Sequence, residues 1–143
     1  MSTVTYPDEL IRTILRTTRR IALVGASANP ARPSNEVMEF LLGKGYQVLP
    51  VNPGLAGQEL FGQKVYARVA DVPGPIDMID VFRNSDQVPA LVDEVLALPV
   101  LPKVFWTQLG VVHEAAAAKA SARGIQVIMN RCPAIEIPRL GIL

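Results

Sequence analysis

Apolar residues recur along this chain in two rhythms. From Pro7 to Thr18, Leu10, Ile11, Ile14 and Leu15 return at three and four residues, the spacing of one helix face, and Pro7, Asp8 and Glu9 suit a helix start. Elsewhere the apolar positions run together: Ile21 to Val24, Tyr46 to Val51, Ile76 to Phe82, Val104 to Thr107 and Gln126 to Met129. Short runs of this kind predict strands covered on both faces. Helical stretches alternate with them. Val37, Phe40 and Leu41 mark one that ends at Gly43 and Gly45, Asp86 to Leu98 a second with Pro89 in its first turn, and His113 to Arg123 a third. Repeated units of this length need right-handed crossovers, so the pattern predicts one α/β domain over residues 1–143. It is doubly wound, with about five parallel strands and helices on both faces. The stretch Asn52 to Pro75 breaks the rhythm with seven glycines and prolines and predicts a small hairpin, Glu59-Leu60 against Lys64-Val65 around Gly62, in place of one helical crossover. The tail after Cys132 is short enough to pack across the domain.

Composition narrows the function classes. With 143 residues, half of them apolar, the chain can bury about 68 to 70% of its unfolded surface in a single core. Lys and Arg number 14 against 13 Asp and Glu, so no excess charge exists to bind nucleic acid non-specifically. No run of 18 apolar residues and no basic-then-apolar N-terminus occurs, which predicts a cytoplasmic protein without membrane spans. One cysteine, Cys132, and one histidine, His113, exclude an internal disulfide and a structural zinc site. The apolar surplus leaves room for a homodimer face.

In an open α/β sheet the ligand lies beyond the carboxyl ends of the strands, where the connections diverge. The residues that follow each predicted strand are therefore the informative ones: Gly25 to Asn35, Asn52 to Gly54, Arg83 to Ser85, Gln108 to Gly110 and Asn130 to Cys132. The first of these segments combines a glycine turn, small residues and an arginine at a helix start. Free amides and the positive dipole end favour an anion there, Ser27 and Ser34 can donate from hydroxyls, and Arg32 offers a forked contact. Arg83, directly after a buried strand, also needs an anion or carboxylate nearby. A nicotinamide dinucleotide fits poorly. Ser27 and Pro30 carry side chains where the G-x-G-x-x-G pattern has glycine, and the second strand ends in Asn52-Pro53 without a carboxylate for a ribose diol. A 3′-phosphorylated nucleotide such as coenzyme A tolerates that lack better.

At these residues the chain resembles the small stand-alone CoA-binding proteins of bacteria and archaea and, more distantly, the N-terminal domain of the succinyl-CoA synthetase alpha subunit. The resemblance spans nearly the whole chain. It is carried by Val24-Gly25-Ala26-Ser27 with Pro30, Arg32, Pro33 and Ser34, by Gly45 to Pro53, by Ile79-Asp80-Val81-Phe82-Arg83, by Trp106 to Val111, and by Asn130-Arg131-Cys132. It implies a Rossmann-like fold that binds coenzyme A or an acyl-CoA, and the lack of a convincing nucleophile, base or metal cluster in the sequence predicts binding without catalysis. The phosphates would lie at Gly25, Ala26, Ser27, Arg32 and Ser34, the adenosine near Asn52 and Pro53, with further contacts from Phe82, Arg83 and Gln108. Three departures accompany it. The synthetase domain has a nucleotide-contacting lysine after its second strand, whereas Pro53-Gly54-Leu55 has none, which leaves the 3′-phosphate to an arginine or to solvent. Relatives often carry Asp before the Arg-Cys pair and a histidine in the tail, where this chain has Asn130 and Ile137. The phosphorylated histidine of the synthetase belongs to a second domain, and His113 is not its counterpart.

The alternative to binding alone is a small-molecule enzyme that uses a nicotinamide nucleotide or the Cys132 thiol, and a third reading is an interaction subunit that uses the fold for assembly. For single residues the bland reading prevails: Cys132 and Trp106 as core, His113 as a solvated helix start, and Arg12, Arg16, Arg19 and Arg20 as a solvated basic face. Asp77 and Asp80, three apart on a strand, point to opposite faces and make no acid–base pair.

Overall fold

The computed structural model describes residues 5–142. Strands β1 (Arg20–Val24), β2 (Gln47–Val51), β5 (Met78–Val81), β6 (Val104–Thr107) and β7 (Gln126–Ile128) form one sheet in the order β2-β1-β5-β6-β7. Every pairing in it is parallel. β3 (Glu59–Leu60) and β4 (Gln63–Lys64) pair as the small antiparallel hairpin, with Glu59 opposite Lys64. The turn at its tip holds Phe61 and Gly62, both at positive φ. The helices are α1 (Asp8–Thr17), α2 (Pro33–Gly43), α3 (Val88–Leu96), α4 (Glu114–Ser121) and α5 (Pro133–Arg139). No described helix is long and apolar enough to cross a membrane.

Alternation along the strands divides the core in two. Ile21 and Leu23 of β1 pack with Ile11 and Leu15 of α1, Met38 and Leu41 of α2, and Ile137 of α5. Ala22 and Val24 face the other way, onto Val88, Leu91 and Val92 of α3 and Ala116 of α4. The tail is thus a helix that closes the first face. Its first residue, Pro133, occupies a position where no N–H is needed, and Arg139 anchors it through Glu136 at 2.9 Å and Asp8 at 3.0 Å. Those two partners, above all Glu136, whose carboxylate accepts from the guanidinium, raise the Arg139 pKa further above its ordinary value. Trp106 is fully buried in the same layer and donates from Nε1 to the Arg131 carbonyl at 2.9 Å.

The two aspartates have separate fates. The Asp77 carboxylate accepts the backbone amides of Arg19 and Arg20, both at 2.9 Å, and so ties the start of β5 to β1. Asp80 lies between Leu23 and Trp106 in the sheet, on the α1–α2–α5 face, fully buried and with neither oxygen hydrogen-bonded among the described residues. Burial penalises its charged form and pushes its pKa up to about 8.

The first turn is fixed by a close approach of backbone to backbone. Gly25 has φ +94°, and a Cβ there would lie 2.1 Å from the Phe82 carbonyl oxygen. The amides of Gly25 and Ala26 donate to the Val51 carbonyl, and that of Phe82 donates to Val24. The ends of β1, β2 and β5 therefore meet with no space for a side chain at position 25.

Two outcomes follow. Asp80 is protonated in the folded chain but ionised in the unfolded one between about pH 4 and pH 8, so its contribution to stability is fully present below pH 4 and is lost as pH rises toward 8, by at most about 1.4 kcal/mol per pH unit. Urea unfolding at pH 5 and pH 8 should show that loss in the wild type and a flatter profile in Asp80→Asn; equal slopes in both would refute the assignment. Gly25→Ala should cost about 2 kcal/mol or more of stability from the positive φ and the clash together. A thermal midpoint within a degree or two of wild type would show that the turn can move aside.

Candidate functional site

Connections leave β1 and β5 in opposite directions, α2 leading to the β2 edge and α3 to the β6 side, so the crevice opens between these two strands at their carboxyl ends. Two adjoining hollows occupy it. The first, of about 350 Å³, is lined by Gly25, Ala26 and Ser27 of the turn after β1 and by Arg32, Pro33 and Ser34 at the start of α2. Asn52 after β2 and Phe82 and Arg83 after β5 complete it. The second, of about 460 Å³, lies on the α3 side of the sheet. Val24, Val51, Val69 and Leu91 give it an apolar floor, Pro53, Ala67 and Arg68 one wall, and Asp86, Gln87 and Glu94 another. Arg83 lines both hollows.

The turn around the first hollow is held by side-chain hydrogen bonds to backbone. Asn52 Nδ2 donates to the Ala26 carbonyl at 2.7 Å while its Oδ1 accepts from Gly54 N at 2.9 Å, so one residue joins the loops after β1 and β2. Asn35 Nδ2 donates to the Ser27 carbonyl at 2.8 Å, and Ser27 Oγ accepts from Asn29 N. Two of these bonds occupy the carbonyls of Ala26 and Ser27, and two occupy the amides of Gly54 and Asn29. No side-chain cap is made at the start of α2, in contrast to α4, where His113 Nδ1 accepts from Ala116 N at 3.1 Å. Arg32 is exposed and Arg83 half-buried, and neither joins an ion pair or side-chain hydrogen bond among the described residues. The hollow therefore offers uncapped amides, a helix dipole and two unpaired guanidinium groups, which is what an anion of the size of a diphosphate requires.

Of the ten residues named from the sequence, eight line the first hollow, and Pro53 lines the second. Gln108 lines neither: it is buried, and its Oε1 has no partner among the described residues. Cys132 is likewise buried, at the start of α5 and within the core. Asn130 has φ +61°, a conformation Asn adopts more readily than most residues, and its Oδ1 accepts from Gly110 N at 2.7 Å. His113 is a helix cap, not merely a solvated residue. The predicted basic face is also partly committed, since Arg12 pairs with Glu9 and Arg20 donates to the carbonyls of Pro73 and Pro75. Sequence reasoning missed Asn35, whose only signal is an amide side chain in the first turn of a helix after a tight loop, and Arg68, which no strand-end rule singles out.

The chain was then compared with known proteins. The profile described as a CoA binding domain matches residues 19–138. An uncharacterised protein of Bacillus subtilis, YneT, is 38% identical over 122 residues, which span 85% of this chain and 87% of that one. A Thermus thermophilus protein of solved structure is 38% identical with TM-score 0.89, covering 94% of this chain and 99% of that one. The alpha subunit of an ADP-forming acetate–CoA ligase of Pyrococcus furiosus is 31% identical over 80 residues, 53% of this chain but 17% of the subunit. The match of the CoA binding domain over residues 19–138, together with the Rossmann-like α/β fold, makes the chain a member of the CoA-binding domain family.

Proposed function

We propose that the protein binds coenzyme A or an acyl-CoA and does not turn it over. The observation that carries this reading is the pair of hollows joined at Arg83, one anion-ready and one with an apolar floor, because a nucleotide with a diphosphate needs both side by side. The diphosphate would rest on the amides at the start of α2 between Arg32 and Arg83, with Ser27 and Ser34 at hand. The adenosine would extend over Pro53. When bound, the coenzyme supplies a thiol or thioester on its far arm; the chain's own residues orient and neutralise its nucleotide end. The lack of turnover is supported by the first hollow's lining, where Ser27 and Ser34 have no His, Cys, Asp or Glu beside them to act as a base. Against a nicotinamide dinucleotide stand Asn52, with both ends of its amide engaged, and the absence of a carboxylate at the end of β2.

Calorimetric titration should give tighter binding of CoA than of NAD, and Arg83→Ala should weaken CoA binding about tenfold or more, as loss of a charge-assisted contact does. Preference for NAD, or undiminished CoA binding in Arg83→Ala, would overturn the placement of the diphosphate.

A further inference from the structure

The nucleotide of coenzyme A differs from the adenosine diphosphate half of an adenine dinucleotide by its 3′-phosphate, and the segment after β2 that would most directly meet it, Pro53-Gly54-Leu55, has no cation. A cation reaches the same level from a different direction. After the β3–β4 hairpin the chain turns back and runs beside β2. Tyr66 bridges Val51 in parallel, its amide donates to the Pro50 carbonyl at 2.9 Å, and its carbonyl accepts from Asn52 N at 2.9 Å. That register carries the next two residues, Ala67 and Arg68, past the carboxyl edge of the sheet alongside Asn52 and Pro53. Arg68, in extended backbone, thereby lines the second hollow with Pro53 and Arg83.

We infer that Arg68 is the residue that holds the 3′-phosphate and gives the site its preference for coenzyme A over its 3′-dephosphorylated form. The inference rests on the binding reading above and deepens it. Its guanidinium has one described partner, Asp71 at 3.7 Å, on side chains that are 65% and 43% exposed, and a pair so long and so exposed does not lock the arginine in place. The hollow's opposite wall holds Asp86 and Glu94, which repel a phosphate and leave the Arg68 wall as the favourable side. A nucleotide with its diphosphate in the first hollow would carry its adenosine into the adjoining one, whose lining includes Arg68.

The test is binding of CoA and of 3′-dephospho-CoA to the wild type, Arg68→Ala and Arg68→Lys, each checked for an unchanged thermal midpoint. The wild type should bind CoA about tenfold more tightly than dephospho-CoA, by a margin that shrinks with added salt. Arg68→Ala should lose most of that margin while its affinity for dephospho-CoA stays near the wild-type value, and Arg68→Lys should keep part of it. A margin that persists in Arg68→Ala overturns the assignment of Arg68 and leaves the coenzyme reading intact. Equal or tighter binding of dephospho-CoA by the wild type also overturns it and assigns Asp86 or Glu94 to the free ribose hydroxyls. Binding of neither compound overturns the coenzyme reading itself, and this inference with it.

Discussion

The Phe82 carbonyl oxygen occupies the space where a side chain at position 25 would begin, and the geometry of the whole ligand edge follows from that contact. Because Gly25 has no Cβ, the turn after β1 can lie flat against the end of β5, with Val51 of β2 accepting amides from the same turn. Three strand ends are thus fixed to one another by backbone alone. Side chains complete the frame: Asn52 and Asn35 take up the carbonyls of Ala26 and Ser27, so neither carbonyl is left as a free acceptor at the turn. A glycine that looks at first like an accommodation for phosphate is needed even before any ligand arrives, since a side chain there would collide with the protein's own backbone.

Most of this architecture is legible in the sequence, for reasons that differ by element. The five central strands are apolar on nearly every position, which only a doubly covered sheet demands, and the hairpin is signalled by Gly62 between two short pairing segments. The turn after β1 is legible because glycine, small residues and an arginine precede a helix in the first βα unit. The helix at the tail is not. Pro133 and Pro138 within seven residues read as breakers, yet Pro133 sits where its missing N–H costs nothing, and burial of Ile137 with the Arg139 bridge to Asp8 supplies the stability that propensity lacks. Arg68 is hidden for another reason: its place in the crevice depends on how far the hairpin reaches before the chain returns along β2, and that distance is set by pairing between Tyr66 and Val51. Gln108 shows the converse, a residue at the correct strand end whose side chain turns into the protein.

The two edges of the sheet are built to opposite specifications. At the amino ends polar groups are matched: Asp77 accepts two amides, the Arg20 guanidinium spans the carbonyls of Pro73 and Pro75, and Tyr46 donates to the Leu15 carbonyl. At the carboxyl ends Arg32 and Arg83 have no described partner, Arg68 has a long and exposed one, and one layer below the rim Asp80 and Gln108 keep buried oxygens unsatisfied. An unpaired buried carboxyl is costly, and the neutral form is the cheaper one to bury, which is why Asp80 titrates so far from its ordinary range.

This asymmetry decides where an anionic ligand gains most. A guanidinium already engaged with a carboxylate must give up that contact before it can take a phosphate, so the net gain is the difference between two similar interactions. Arg32 and Arg83 surrender only water, and Arg83 less of it because it is already half-buried. The backbone frame around them does not reorganise either, since Gly25, Asn35 and Asn52 are committed in the chain as it stands. Preorganised donors and uncommitted charge at this edge would let the domain hold the proposed polyanion without drawing on the interactions that keep it folded.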